Sequence, residues 1–357
     1  MALDTWRILP RAGGSFHFGR HGLGQEETAL TFTSDSLFAA LVAYAAQHAP
    51  ASLTQLVSSG GEPPIVLTSA FPWVHGIRLF PKLMLPTHSA TDTKNLKRVI
   101  FVSEGVYRQM LAGASLERLY AAAHTAQSGQ VLFTDEERAE LLAKLVSAPR
   151  KKNGANASAP LPDFWKSEQR PRVTLDRASS ASNLFFTGGV TFAPGCGLWF
   201  GLHWRNPDSP LKNDLPALFA GLGDAGIGGD RSAGYGICTF DPGDPLDLPA
   251  PSLGGYWTNL SRYIPTEGEI SALTAPDAGY SLERVGGYIT SPASMGVRRR
   301  AANMLAEGAL LGAAPGAVAG QLADVCPTFD DNNPIRHPVW RNGQTIAVGV
   351  SLKEGAA

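Results

Sequence analysis

Hydrophobic positions follow two periods along this chain, one typical of strands and one typical of helices. Residues 5–9, Thr-Trp-Arg-Ile-Leu, predict a short first strand, and residues 65–69 and 77–85 predict two more. Phe71-Pro72-Trp73 is the expected turn between these two strands. The polar pair at 33–34, Thr-Ser, offers a helix N-cap. The residues that follow it recur at helical spacing: Leu37, Phe38, Leu41, Val42 and Ala45.

Residues 94–148 differ from the segments on either side, because they favour helices. The pattern predicts helices at 106–111, 116–123 and 135–146. Residues 150–162 are low in complexity and predict a mobile segment. We therefore interpret this part of the chain as a helical insertion into a framework that is mostly β.

The second half of the chain repeats the order of strand, helix and glycine-rich loop. Residues 198–204 alternate like a strand. Asp214 is the expected N-cap of a helix that Gly223 ends. A further strand is predicted at 235–240, and a Pro/Asp-rich linker at 241–251.

This repetition predicts an α+β fold with two ferredoxin-like (RRM-type) domains in tandem. The first domain covers residues 1–190 and includes a helical and basic insertion at about 94–170. The second covers residues 191–357 and carries the glycine-rich loop at 226–236. Residues 298–311 fit a helix by their alanines and paired strands by their setting.

Composition narrows the classes of function. Hydrophobic residues make up 44% of the 357 residues, which is enough for a large core, whereas charged residues make up only 17%. Such a surface indicates cover by partner subunits. The net charge is −1, so binding of nucleic acid must depend on local basic patches.

Cysteine usage and the apolar pattern indicate the compartment. Cys196, Cys238 and Cys326 form no Cys-x-x-Cys pair, which excludes a cysteine zinc ribbon and a disulfide framework and fits a reducing compartment. The sequence shows no signal peptide and no apolar run long enough to span a membrane. We expect a soluble, cytoplasmic protein.

Signals for catalysis are weak. Gly221-x-Gly223-x-x-Gly226 has the spacing of a dinucleotide fingerprint, but these glycines follow a predicted helix, where unpaired carbonyls repel phosphate. His17 and His21 have the spacing of metal ligands on a helix, which the glycines around them disfavour. Either histidine could instead act as a general base or contact backbone or phosphate. We predict no catalytic residue, no metal and no cofactor.

The most informative segment is residues 226–237, Gly-Ile-Gly-Gly-Asp-Arg-Ser-Ala-Gly-Tyr-Gly-Ile. Its glycines expose backbone N–H groups and permit the close approach of another backbone, which suits a sugar-phosphate chain. Arg231 could hold a phosphate with two hydrogen bonds. The alternative is a tight loop that enters a strand and packs against a helix.

Basic residues cluster in spite of the neutral total. Residues 150–177 hold seven basic and three acidic residues and include the aromatic pair Phe164-Trp165. Basic and aromatic side chains together suit single-stranded nucleic acid. Further clusters occur at 94–98 and at 298–300. Each cluster alone fits a solvated face, but together with the glycine-rich loop they indicate nucleic acid.

The loop at 226–236 resembles the glycine-rich loop of the RAMP superfamily, the RNA-binding proteins of CRISPR systems. Further motifs are similar to those of subunit four of the type III-A (Csm) complexes. In order along nearly the whole chain they are FHFGRHGLGQEET at 16–28, SDSLFAAL at 34–41, VTLDR at 173–177, NLFF at 183–186, CGLWF at 196–200, the stretch from GGY at 286–288 to AEG at 306–308, PTF at 327–329 and HPVWR at 337–341.

This resemblance implies a non-catalytic, RNA-binding subunit of an antiviral CRISPR complex, with the insertion at 94–170 forming a helical thumb. Such a subunit binds the repeat-derived 5′ tag of the guide RNA (crRNA) at the base of the complex. It also anchors the large Cas-ten subunit and the Csm backbone subunit, meets target RNA only indirectly, and leaves catalysis to its partners. No cofactor, metal or membrane is implied.

The resemblance also nominates RNA-binding residues. The glycine-rich loop contributes Gly226, Gly228, Gly229, Arg231, Ser232 and Gly234. The loop after the first strand contributes Phe16, His17, Phe18, Gly19 and Arg20, and it should lie beside the glycine-rich loop. Lys97, Arg98 and Arg177 are second choices for contacts in the thumb and groove. Because the chain has no RNP1-like string, base stacking on the sheet face is not expected.

Two rival interpretations stay open. A Cas-six-like endoribonuclease that processes crRNA precursors shares the ferredoxin-like pair and the glycine-rich loop, and would use His17 or His21 for metal-independent cleavage. The helix start at 34–36 and the insertion at 94–170 match subunit four better. The equivalent subunit of a Cmr-type complex is the nearer rival.

Overall fold

The computed structural model describes residues 1–19, 26–57, 62–85, 93–147, 161–176, 182–289, 296–329, 335 and 337–352. Its first strands are β1 Ala2–Pro10, β2 Phe18–Gly19, β3 Thr28–Ala29, β4 Ile65–Leu67, β5 Phe71–Val74, β6 Ile77–Pro81, β7 Phe101–Ser103, β8 His124–Ala126, β9 Val131–Phe133, β10 Trp165–Leu175, β11 Ser182–Phe192, β12 Cys196–Trp204 and β13 Cys238–Asp247. The helices are α1 Ser34–His48, α2 Pro50–Leu56, α3 Thr93–Arg98, α4 Glu104–Leu111, α5 Leu116–Ala122, α6 Asp135–Ser147 and α7 Leu211–Ala225. The remaining strands are β14 Tyr256–Asn259, β15 Leu282–Val285, β16 Ala302–Leu305, β17 Leu310–Leu311, β18 Val318–Ala319, β19 Leu322–Asp324, β20 Trp340–Asn342 and β21 Thr345–Val350.

A nine-stranded sheet organises the first 250 residues, in the order β13-β1-β12-β5-β6-β7-β9-β8 with β4 paired to β12. β1 lies antiparallel to both of its neighbours, with Asp4 opposite Leu202 of β12 and Ile8 opposite Phe240 of β13. The mixed α+β class is therefore confirmed. Strands from both sides of the predicted boundary at residue 190 join this one sheet, so that boundary does not separate two sheets.

One face of the main sheet is covered by α1 and α7, because both helices bury an apolar stripe. Leu37 and Leu41 of α1 are fully buried, as the helical spacing predicted. Phe219 of α7 lies 4.8 Å from the ring of Trp6 and 5.5 Å from that of Phe200. These contacts form a single apolar layer between helices and sheet.

The last hundred residues contain a second sheet, with the strand order β17-β14-β21-β18, and two separate strand pairs, β15-β16 and β19-β20. Leu310, Ile346 and Val348 of this sheet belong to the same buried cluster as Leu3 and Phe71 of the main sheet. Residues 298–311, which fitted helix or strand, contain β16 and β17 and hence form strands. The C-terminal part therefore packs onto the sheet face that α1 and α7 leave free.

The turn predicted at 71–73 is wrong, because Phe71–Val74 is the strand β5. Its residues pair with β12, Phe71 opposite Trp199, and the chain reverses at His75 and Gly76 instead. Both of these residues have positive φ, 47° and 100°. Glycine adopts that conformation without strain, so Gly76 is the better turn residue.

The predicted boundaries of α7 and β13 also need correction. α7 begins at Leu211, before the expected N-cap Asp214, and runs past Gly223 to Ala225. Gly223 does not end the helix; a Cβ there would lie 2.5 Å from the carbonyl oxygen of Cys238, so glycine lets the helix approach β13. The predicted linker at 241–251 is wrong over residues 241–247, which belong to β13.

The insertion at 94–170 contains all three predicted helices, as α4, α5 and α6. It also contains β7, β8 and β9, three-residue strands that extend the main sheet. The insertion is therefore not purely helical. The predicted mobile segment 150–162 lies outside the described residues except for its last two.

Candidate nucleic-acid interface

The glycine-rich loop, residues 226–236, connects α7 to β13 and has an unusual backbone. Four of its glycines have positive φ: Gly226 (80°), Gly228 (84°), Gly234 (86°) and Gly236 (82°). Asp230 is also left-handed, with φ 54°. Residues with a side chain rarely adopt this conformation, so the glycines permit the sharp folding of the loop.

The inner part of the loop packs against the segment after β1. The backbone N–H of Gly229 donates to the carbonyl oxygen of His17 at 2.8 Å, and that of Gly236 to Ser15 at 2.9 Å. A Cβ on Gly228 would lie 2.5 Å from the His17 carbonyl oxygen. The two predicted loops thus lie together, and these glycines are needed for packing within the chain itself.

The outer part of the loop is exposed to solvent. Arg231, Ser232 and Gly234 are all exposed, and Arg231–Ala233 forms a single 3₁₀ turn. A Cβ on Gly234 would meet no atom within 4 Å. Among the described residues no side chain or carbonyl accepts a hydrogen bond from the Arg231 guanidinium, which leaves it free for a ligand.

A long β-hairpin stands beside the loop. β10 and β11 pair over eleven residues, from Trp165 opposite Phe192 to Leu175 opposite Ser182. Arg172 of β10 lies 3.3 Å from the Asp230 carboxylate and 5.2 Å from the centre of the Tyr235 ring. The ion pair and the ring contact hold the glycine-rich loop against the hairpin.

The two faces of the distal hairpin differ in character. Lys166, Glu168, Arg170 and Arg172 alternate along one face of β10, and Glu168 lies 3.9 Å from Arg170. The other face brings Val173 opposite Leu184, and Leu184, at 59% exposed, and Phe186, at 42%, remain in solvent. The sequence analysis missed this hairpin, although charged residues at every second position of β10, from Lys166 to Arg172, could have indicated its first strand.

Two aromatic residues nominated as RNA contacts are core residues instead. Phe16 is fully buried and Phe18 is 4% exposed. Their rings stack at 5.2 Å, and Phe18 stacks on Phe32 at 4.7 Å. Phe164 and Trp165 are likewise buried rather than exposed. Direct RNA contact by these four rings is therefore excluded in this conformation.

His17 is enclosed between the hairpin and the glycine-rich loop. Its side chain is 7% exposed, and its Nδ1 lies 2.8 Å from the carbonyl oxygen of Gly188 in β11. A Cβ on Gly229 would lie 2.8 Å from its Cδ2. The imidazole fills the space between hairpin and loop. No cluster of three metal-ligating side chains occurs among the described residues.

The remaining nominated residues are scattered. Gly19 is exposed at the end of β2, within the same segment as His17. Lys97 and Arg98 are exposed on α3, and the Arg98 side chain lies against Gly129. In the described part of the chain these two basic residues make no contact with the glycine-rich loop. Arg20, His21 and Arg177 lie outside the described residues.

Comparison with known proteins identifies the C-terminal part most specifically. Residues 253–350 match the family model described as the CRISPR Csm4 C-terminal domain. This segment contains the complete second sheet. No helix among the described residues is long and apolar enough to cross a membrane.

Two curated proteins named "CRISPR system Cms protein Csm4" are similar in sequence. The protein from Methanocaldococcus jannaschii is 22% identical over 388 aligned residues, which cover 97% of both chains. The protein from Thermococcus onnurineus is 26% identical over 185 residues, 52% of this chain and 55% of that protein. This chain thus spans about half the length of the second relative.

Solved structures share the fold. A crystal structure of a Csm3-Csm4 subcomplex of the type III-A CRISPR-Cas interference complex matches 98% of this chain and 99% of its own, with a TM-score of 0.66 and 18% identity. A Csm1-Csm4 cassette in complex with cA4 matches 99% and 100%, with a TM-score of 0.56 and 17% identity. Residues 253–350 therefore match the Csm4 C-terminal family model, the chain is similar to Csm4 proteins over nearly its whole length, and the resemblance stated from the sequence is confirmed.

Proposed function

We propose that this chain is the Csm4 subunit of a type III-A CRISPR interference complex and that its glycine-rich loop binds the repeat-derived 5′ tag of the crRNA. The observation that carries the proposal is the exposed turn Arg231–Ala233, which lies on an inner loop held by backbone hydrogen bonds to the segment after β1. An exposed guanidinium suits the phosphates of a splayed single strand.

The hairpin supplies the rest of the proposed groove. Lys166 and Arg170 are exposed on the face that also carries Arg172, which touches the glycine-rich loop. An RNA strand that leaves Arg231 would meet these basic side chains next. Gly19, which is exposed, would line the opposite side, while Lys97 and Arg98 serve as more distant contacts at the thumb.

The proposed partners follow from the assemblies in which the similar chains were solved. One is a Csm3-Csm4 subcomplex and another is a Csm1-Csm4 cassette. We propose corresponding contacts here with the Csm backbone subunit and with the large Cas-ten subunit, in the cytoplasm. A surface with few charged residues is consistent with cover by two protein partners.

The proposed role is structural rather than catalytic. A general base must reach the proton that it removes, and His17 is enclosed between Gly188 and Gly229. This placement disfavours a Cas-six-like nuclease based on His17. The paired order β1–α1 and β12–α7–β13 also supports an origin from two ferredoxin-like units.

The test is charge reversal at Arg231 in the assembled complex. The complex is purified through a tag on another subunit, and crRNA per complex is quantified as the salt concentration rises. Arg231→Glu should release crRNA at lower salt than the unmodified complex, because phosphate contacts are lost more easily as salt increases.

The matched control is Arg118→Glu, which reverses another exposed arginine, on α5. Equal crRNA retention by the Arg231 and Arg118 variants would contradict the proposed role of the loop. Incubation of the purified chain with repeat RNA in the absence of metal tests the rival, since discrete cleavage that His17→Ala abolishes would indicate a nuclease.

A further inference from the structure

The C-terminal part contains a two-stranded ribbon, in addition to the β10-β11 hairpin, that is not part of the proposed tag site. β15 pairs with β16, with Arg284 opposite Asn303. The pairing continues beyond the strands, since Tyr288 bridges Arg298 and the Ile289 N–H donates to the Val297 carbonyl at 2.9 Å. We call residues 282–289 and 297–305 the basic ribbon.

The basic ribbon has an excess of positive charge in a nearly neutral chain. It contains four arginines and one acidic residue, Glu283. That carboxylate is already paired with Arg262, at 2.6 Å. Arg284, Arg298 and Arg300 are exposed, and among the described residues none of them contacts a carboxylate.

One of the four ribbon arginines, Arg299, is half-buried next to Arg341. Arg341 is buried and its charge is balanced by Asp35. Arg299, between Arg298 and Arg300, is half-buried, and its Nε has no hydrogen-bond partner in the described part of the chain. Burial and the neighbouring Arg341 lower the pKa of Arg299 to about 10, which still leaves it cationic at neutral pH.

An aromatic ring lies among these cations. Tyr288 is 54% exposed. The Arg298 guanidinium lies 5.3 Å from the centre of its ring, and Nε of the same arginine donates to the Tyr288 hydroxyl at 3.2 Å. Cationic side chains beside an exposed ring match the requirements of a single strand, whose phosphates need positive charge and whose bases stack on aromatic faces.

The ribbon is fixed to the same part of the main domain as the glycine-rich loop. Arg341 donates to the carbonyl oxygen of Gly286 at 2.7 Å and pairs with Asp35 at the start of α1. Phe32, just before α1, stacks on Phe18 of the segment that supports the glycine-rich loop. Both surfaces are therefore anchored on residues 28–35.

We infer that the basic ribbon is a second binding surface for single-stranded RNA, on which Arg284, Arg298 and Arg300 hold phosphates and Tyr288 stacks a base. This surface goes beyond the proposed tag site. It does not depend on that site, because none of its residues belongs to the glycine-rich loop or the hairpin.

The test measures binding of a labelled oligouridylate to the purified full-length chain over a range of salt concentrations. Log affinity falls as log salt concentration rises, and each lost phosphate contact of a single strand reduces the magnitude of this negative slope by about 0.7. Arg284→Gln combined with Arg298→Gln should therefore reduce the magnitude of the slope by about 1.4. Arg108→Gln with Arg118→Gln, two exposed arginines elsewhere, should leave it unchanged. Circular dichroism and melting temperature confirm that both variants are folded.

The stacking role is tested at Tyr288. Tyr288→Phe keeps the ring and should bind as the unmodified chain does, whereas Tyr288→Leu should bind about tenfold more weakly. An Arg231→Gln variant is measured in parallel to distinguish the two surfaces. If Arg231→Gln leaves oligouridylate binding unchanged, the proposed tag site is contradicted, whereas the effect of the ribbon variants is still expected.

Two outcomes would overturn the inference. One is the absence of oligouridylate binding by the unmodified chain at low salt. The other is an unchanged salt slope in the ribbon double variant; if that variant also loses a protein subunit from the assembled complex, the ribbon is a protein interface instead.

Discussion

Asp35, in the first turn of α1, forms a buried ion pair with Arg341 of β20, 306 positions later in the chain. The side chains are 1% and 2% exposed. A neighbouring pair supports the same junction, since the backbone N–H of Arg262 donates to Ser34 Oγ at 2.9 Å and its guanidinium lies 3.2 Å from Glu307. The start of α1 is thereby joined to the C-terminal part of the chain by buried polar contacts.

Removal of the Asp35 charge should destabilise the chain strongly. Asp35→Asn leaves the Arg341 guanidinium buried without a counter-charge, and loss of one partner of a buried pair costs about 3–5 kcal/mol. Asp224→Asn is the matched control, because Asp224 pairs with Arg11 at the surface, where such pairs contribute about 0–1 kcal/mol. The free energy of unfolding in urea measures both, and equal losses would show that the buried pair is not a structural junction.

Alanine at two loop glycines should have unequal effects. Gly228 and Gly234 have nearly the same φ, 84° and 86°, so the left-handed conformation costs alanine about 1–2 kcal/mol at either position. Only at Gly228 would the added Cβ meet another atom, the His17 carbonyl oxygen at 2.5 Å. Gly228→Ala should therefore cost about 1–3 kcal/mol more. Thermal unfolding compares the two variants, and equal melting temperatures would contradict the packed interface between the loops.

Stability should fall as the pH drops below the ordinary histidine range. Burial lowers the pKa of His75, with a further contribution from Lys144, and burial lowers the pKa of His203, with a further contribution from Arg205. Below the ordinary value of 6.5 the unfolded chain binds protons that the folded chain does not bind. The stabilising contribution is therefore complete above that pH and decreases below it.

The measurement for this effect is the melting temperature between about pH 5 and 7. The double variant His75→Gln, His203→Gln should show a flatter dependence than the unmodified chain. An identical dependence in both proteins would mean that other groups cause the acid destabilisation.

Local signals in the sequence predicted those elements whose own residues determine their conformation. The polar residues before α1 and the helical spacing of its apolar residues predicted this helix correctly, because Leu37 and Leu41 lie on one face that is buried in the core. The pairing of β1 with β12 and β13 could not be predicted, since it depends on packing between distant segments. The strands β7, β8 and β9 were missed because three residues are too short to show a period.

At the candidate site, the sequence identified the glycine-rich loop but did not show whether the residues that pack beside it are exposed or buried. Phe16 and Phe18 alternate around His17 in a way that fits either a ligand surface or a buried strand. The hairpin makes this segment a buried strand, because Val190 pairs with Phe16 and the Gly188 carbonyl oxygen accepts a hydrogen bond from the His17 ring. Arg172 and Asp230 contribute to the site through an ion pair between segments that the sequence separates.

The position of β1 between β12 and β13 determines when this protein can fold during translation. β1 is complete after ten residues, but its partner on one side, β12, ends only at Trp204. Its partner on the other side, β13, ends at Asp247, about two thirds of the way along the chain. A nascent polypeptide that stops before this point exposes open sheet edges, which favour aggregation. We therefore expect ribosome-bound intermediates of this chain to be prone to aggregation until synthesis has passed β13.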